Sequence, residues 1–212
     1  MPKKFEEPQG RGDFFKSLGT LLGGFLAEQV EEAVTKVSPK QLRPPGALDE
    51  FAFLTACTRC DKCIEACPQD SLVKAGPSAG LGLNAPVLEP RRMACFLCSE
   101  LPCVTACPEG ALVWPKLALP DGTALEGPAA VRIGLATVKE TLCLTYAGED
   151  REPVPCTVCV DRCPYPGEAI RMVKAESGPD HPEVLEDRCT GCGLCTFGCP
   201  APEAAIVVVP KK

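Results

Sequence analysis

Apolar residues along this chain come mostly in short bursts, and one longer stretch has helical spacing. From Asp13 to Val37 they fall at Phe14, Leu18, Leu21, Leu22, Phe25, Val30, Val34 and Val37, which predicts an amphipathic helix over 13–37. Its most apolar part, Leu18 to Ala27, runs straight into Glu28 and the Glu31–Glu32 pair, so it is too short to span a bilayer. The helix could pack on the rest of the chain, on a partner subunit, or on a membrane surface. Residues 1–12 are polar and read as a disordered tail. Residues 38–50, with Pro39 and the Pro44–Pro45 pair, read as a Pro-rich linker.

Beyond Glu50 the pattern changes to one that recurs four times. Apolar patches stand at Ser71–Val73, Ala111–Trp114, Ala169–Val173 and Ala204–Val209, and second short strands are expected at Pro86–Glu89, Val131–Val138 and Val184–Glu186. Turn-rich spacers separate them at Ala75–Ala85, Pro120–Pro128 and Ser177–Pro182. The expectation is an α+β chain of short strands and helices, with an internal fourfold repeat over 51–210. Composition sharpens the picture: aromatic residues make up only 5%, against 19 glycines and 23 prolines, so a large hydrocarbon core is hard to build. Something else must fill the interior.

The cysteines supply it. The 16 cysteines divide into four quartets, each closed by a proline. Cys57, Cys60, Cys63 and Cys67 read C-x2-C-x2-C-x3-C, followed by Pro68. Cys95, Cys98, Cys103 and Cys107 widen the middle gap, and Cys143, Cys156, Cys159 and Cys163 widen the first. Cys189, Cys192, Cys195 and Cys199 return to the compact spacing. A [4Fe–4S] cube needs one thiolate per iron, and a run of closely spaced cysteines wraps three of its corners. In two-cluster ferredoxins the fourth cysteine, set off before a proline, ligates the neighbouring cluster. The arithmetic predicts four [4Fe–4S] clusters with all sixteen cysteines as iron ligands. A structural zinc protein is the rival, but zinc sites usually pair two C-x2-C units across a longer gap. Disulfides between cysteines this close have poor geometry.

Function follows from what the clusters do and what is missing. One histidine, His181, stands in a Gly-Pro-Asp-His-Pro turn and reads as solvent-exposed rather than as a ligand. Gly191-Cys192-Gly193 lies inside a cysteine loop and is no nucleotide fingerprint. With no substrate site in view, the chain reads as an electron carrier rather than an enzyme, with no small-molecule substrate. Its formal net charge is −6 before any cluster is bound. An acidic protein lacks the basic footprint of nucleic-acid binding and suits docking to basic patches on redox protein partners, a donor and an acceptor. Buried clusters would couple metal binding to folding.

The quartets can pair in sequence, first with second and third with fourth, or nested, first with fourth around the other two. The form Cys95-x2-Cys98-x4-Cys103-x3-Cys107-Pro108 resembles the four-cluster subunits of molybdenum-dependent oxidoreductases, and that resemblance implies nesting. The expected modules are then 57–67 with 189–199 and 95–107 with 143–163. In that scheme Cys199 would complete the first set, Cys67 the last, Cys163 the second and Cys107 the third.

Longer stretches resemble a family, the ferredoxin-type MauM/NapG subunits of methylamine utilisation and periplasmic nitrate reductase systems. The resemblance covers residues 42–210. It rests on Arg43-Pro-Pro-Gly-Ala-Leu48, Ala56-Cys-Thr-Arg-Cys60 and Cys103-Val-Thr-Ala-Cys-Pro-Glu-Gly-Ala-Leu112. It also rests on Cys143-Leu-Thr-Tyr-Ala-Gly148 before Cys156-Thr-Val-Cys159, and on Cys189-Thr-Gly-Cys-Gly193 through Pro202-Glu-Ala-Ala-Ile206. It implies four [4Fe–4S] clusters, Cys143 among their ligands, and relay between a membrane-bound quinone-linked partner and a terminal enzyme. Family members commonly begin with a twin-arginine export signal, whereas here the similar place reads Arg11-Gly12. The expectation is a cytoplasmic chain, with a membrane-associated periplasmic position as the alternative.

Overall fold

The computed structural model describes residues 39–146, 148 and 151–210. The tail over 1–12 and the helix expected over 13–37 lie outside the described residues. Lys40–Lys212 group as one compact unit.

Within it the chain builds the same motif twice, in sequence. In the first copy, α1 (Glu50–Ala56) leads through α2 (Lys62–Glu65) to the antiparallel hairpin of β1 (Leu72–Lys74) and β2 (Pro86–Leu88), with Leu72 opposite Leu88. After α3 (Pro102–Thr105) the chain returns to its own start. There Ala47 and Leu112 form an antiparallel bridge, flanked by Leu48 N–H to Ala111 O at 3.2 Å and Val113 N–H to Gly46 O at 2.8 Å. An exposed hairpin, β3 (Lys116–Ala118) with β4 (Ala124–Glu126), follows.

The second copy runs from β5 (Gly134–Val138) through α4 (Val158–Asp161) to the hairpin of β6 (Ile170–Val173) and β7 (His181–Val184). It then passes through α5 (Leu194–Gly198) to β8 (Ile206–Pro210), which pairs antiparallel with β5 from Gly134 opposite Pro210 to Val138 opposite Ile206. Each copy thus closes its first strand on its last around an inner hairpin. The nested arrangement that the resemblance to four-cluster oxidoreductase subunits implied is replaced by two consecutive modules. The cause is long-range pairing: the segment around Ala47 pairs with the one after the second quartet, not after the fourth.

Residues 39–50 are not a free linker. Leu42, Arg43, Pro44 and Pro45 are buried. The Arg43 guanidinium binds both carboxylate oxygens of Glu50, at 2.6 and 3.1 Å, donates to Pro86 O at 3.2 Å, and stacks 4.9 Å from the centroid of Phe53. Gly46 sits at φ +72, where an added Cβ would meet Val113 O at 2.1 Å, so the return strand can close only on a glycine. Asp49 starts α1 by accepting from Ala52 N–H at 3.1 Å.

Phe53 is fully buried at the centre of the larger core, with Leu101, Val104, Leu112 and Val131 around it. A smaller core joins Ala136, Ile170 and Ile206. Cysteines belong to both: Cys63, Cys95, Cys103 and Cys192 to the first, Cys189 to the second. The interior is therefore built around sulfur, as the scarcity of aromatics suggested.

Candidate metal centres

Three cysteines of each set come from one loop and the fourth from the partner loop of the same module. Cys57, Cys60, Cys63 and Cys107 line one cavity. Cys95, Cys98, Cys103 and Cys67 line the next. In the second module Cys143, Cys156, Cys159 and Cys199 line a third cavity, and Cys189, Cys192, Cys195 and Cys163 a fourth. The empty volumes are alike, ≈ 350, 350, 370 and 360 Å³ with adjoining open solvent included. All sixteen cysteines expected to be ligands are thus gathered in fours, but the fourth member differs from the nested expectation in every set. Cys107 rather than Cys199 completes the first, Cys67 rather than Cys163 the second, Cys199 rather than Cys107 the third, and Cys163 rather than Cys67 the last. A short helix carries this exchange: Cys63 lies within α2, and by Cys67 the chain has turned toward the neighbouring cavity.

The loops achieve their curvature by left-handed backbone. Arg59 (φ 57) and Asp61 (φ 65) alternate with Cys57, Cys60 and Cys63, and Gly191 (φ 69) and Gly193 (φ 82) take the same places in the last quartet. Leu97 (φ 49) and Leu101 (φ 41) do so in the second. Successive N–H groups in such a loop point inward and form an anion-binding concavity. A non-glycine residue held there costs on the order of 1–3 kcal/mol and persists only where its surroundings enforce it. Arg59 is enforced by its own side chain, which donates to Leu83 O at 3.0 Å and Leu81 O at 2.9 Å. Only glycines at such positions are visible in sequence, so this strain was not anticipated.

Burial pushes Cys63, Cys95 and Cys195 up to about 12, and Cys103 and Cys159 up to about 11. Neighbouring thiolates add to it: Cys57, Cys103 and Cys107 act on Cys63, and Cys143 and Cys156 on Cys159. Four converging sulfurs can all ionise only around a cationic group. The four sulfurs of each set line a cavity, as the ligands of a cubane would. Backbone N–H groups already point at two exchanged cysteines, Ser71 at Cys67 Sγ (3.4 Å) and Ala205 at Cys199 Sγ (3.3 Å).

The modules meet at their second and fourth quartets. Cys95 N–H donates to Cys192 O at 2.9 Å, and Ile133 N–H to Thr190 O at 2.9 Å. Arg91 reaches across to carbonyls within and just after α5, those of Thr196 (3.2 Å), Cys199 (2.9 Å) and Ala201 (3.1 Å). No sequence motif announced Arg91. Cys60 is the one exposed cysteine of the sixteen. His181, expected in an exposed turn, instead begins β7, half-buried against Tyr146.

Two ferredoxin-type modules with cysteine-lined cavities define an iron–sulfur electron-transfer protein, a carrier rather than a catalyst. A model described as a 4Fe-4S dicluster domain matches residues 56–111, which hold the first two quartets, and a 4Fe-4S binding domain matches 180–201. The methylamine utilization ferredoxin-type protein MauM of Methylorubrum extorquens is 37% identical over 196 residues, 91% of this chain and 83% of its own length. The ferredoxin-type protein NapG of Escherichia coli is 34% identical over 221 residues, 99% and 90% of the two chains. NapF of the same species is 32% identical over 160 residues, 75% and 80%. No solved structure matches. The chain belongs to the MauM/NapG family of ferredoxin-type proteins.

Proposed function

We propose that the sixteen cysteines hold four [4Fe–4S] clusters, one per cavity, and that the chain passes single electrons between a donor and an acceptor in a larger redox system. Each cluster would supply a one-electron couple. The protein's part is to hold the four sites in a fixed order and keep water from them. That order is not the order of the sequence. The first and second sets share a module and exchange Cys67 and Cys107, and the third and fourth exchange Cys163 and Cys199. The Cys95–Cys192 hydrogen bond joins the second set to the fourth. The sites therefore run first, second, fourth, third. This exchange of fourth cysteines is the observation that carries the reading.

The MauM relatives' name points to methylamine utilisation as one setting, the family resemblance to periplasmic nitrate reductase systems as the other, and a quinone-linked membrane protein is the partner we favour on one side. The end nearest the surface is the first set, where Cys60 is exposed.

Anaerobically isolated protein should be brown, with about sixteen iron and sixteen sulfide per chain. A Cys57→Ser/Cys107→Ser double variant should retain about twelve iron, because both residues serve one site. Retention of only about eight would place them on two sites and overturn the exchange. A colourless protein with zinc would overturn the clusters themselves.

A further inference from the structure

The third set differs from the others in what stands behind its first cysteine. Two residues after Cys143, the buried Thr145 places its hydroxyl oxygen 3.3 Å from Cys143 Sγ. The same oxygen lies 3.2 Å from Nδ1 of His181, the one histidine of the chain. The imidazole is stacked on Tyr146, with centroids 3.9 Å apart and planes 11° from parallel. The Cys143–Tyr146 turn is pinned in turn by Arg151, whose Nη2 donates to Cys143 O at 2.7 Å and Tyr146 O at 3.3 Å. Pro182, next to His181, lines the cavity itself.

Donor arithmetic gives this chain a direction. A ligating cysteine is a thiolate and has no proton to offer, so the Thr145 hydroxyl must donate to it. The hydroxyl has one proton. Once committed to sulfur, its oxygen can only accept from His181, which must then carry a hydrogen on Nδ1. The Tyr146 stack fixes the plane of the ring.

We propose that Thr145 and His181 form a relay that sets the reduction potential of the Cys143, Cys156, Cys159 and Cys199 site, holding it above the value those four thiolates would give alone. This rests on the reading that the set holds a cluster. Hydrogen bonds to the sulfurs are among the determinants of cluster potential. One donated to a thiolate disperses negative charge and so favours the reduced, more negative state. Thr145 acts on the sulfur directly; His181 is a positioning residue acting through Thr145. Thr190, a buried hydroxyl two residues before Cys192, has no histidine behind it, which provides an internal control.

The test is an EPR-monitored redox titration of the full-length holoprotein, with iron counted in every sample. Wild-type iron content checks the cluster reading separately, since four potentials can be compared only if about sixteen iron are present. Thr145→Val should lower one potential of the four and leave three in place. His181→Phe should lower the same one, and His181→Asn, which keeps an amide donor near the Nδ1 position, should restore it. Thr145→Ser should behave as wild type. The Thr145→Val/His181→Phe double variant should shift no further than Thr145→Val, because both changes interrupt one chain. Thr190→Val should move a different cluster. An unshifted potential in His181→Phe at full iron overturns the relay, whether or not Thr145→Val keeps its iron. A shift shared by all four clusters overturns it too, marking a general loosening.

Discussion

Arg43 shows what a single residue does in a protein with little hydrocarbon to spare. Its guanidinium is buried, paired to Glu50 in bidentate fashion and laid on Phe53. Removing one partner of such a pair leaves an uncompensated buried charge, at about 3–5 kcal/mol. Glu50→Ala should therefore lower the thermal midpoint of the loaded protein and speed loss of the first cluster, followed by the fading of visible absorbance. Gly46→Ala should be worse than its size suggests, since the added methyl meets Val113 O and the φ of +72 is itself costly. The thiols titrate with a definite sign. Burial in the folded arrangement pushes Cys95 and Cys63 up to about 12, and in the unfolded empty chain a free thiol, with a pKa of about 8.5, is still largely protonated at neutral pH. Iron must displace those protons, so its affinity should climb with pH from neutral toward the free-thiol range and fall toward acid. Proton release during reconstitution, followed in a pH-stat, would read this directly. No release would mean that the thiols are already ionised.

At the scale of elements several strands were legible, but β7 (His181–Val184) meets the strand expected over 184–186 only at Val184. Ile170–Val173 and Ile206–Pro210 follow the apolar patches expected over 169–173 and 204–209, and Pro86–Leu88 falls within its expected strand. The patch over 111–114 shrinks to a bridge at Leu112, because Pro115 has no N–H to continue a ladder. β4 lies within a spacer expected to be turn, and α1 has no apolar period that would reveal it. Its helix is made by the Asp49 cap and by Phe53 reaching the core. Arg91 belongs to this scale as well, since it ties the segment before the second quartet to carbonyls within and just after α5. Arg91→Ala should weaken the joint by about 1–2 kcal/mol, the lower range for charged hydrogen bonds because part of the contact is exposed. Each module should keep its own iron, while magnetic coupling between the second and fourth clusters weakens. Undiminished coupling would show that the Cys95–Cys192 contact holds without it.

The described residues form two small modules whose cores contain cysteine in both cases. Without iron, buried sulfur offers too little to offset the entropy of ordering so many turns. The empty chain should be degraded quickly by protease and the loaded one should resist. A compact, resistant empty protein would contradict this. The sequence by itself determined the inventory: sixteen cysteines in four quartets, the electron-carrier class, and the short-element architecture around them. Those properties are local, written in spacing over a dozen residues or fewer, apart from the detached Cys143. Tertiary structure alone decided which fourth cysteine completes which site, and so the order in which the sites adjoin. Spacing tells that Cys67 turns away from Cys63, but not toward what. That depends on the Ala47–Leu112 bridge and the β5–β8 pair, contacts between segments more than sixty residues apart.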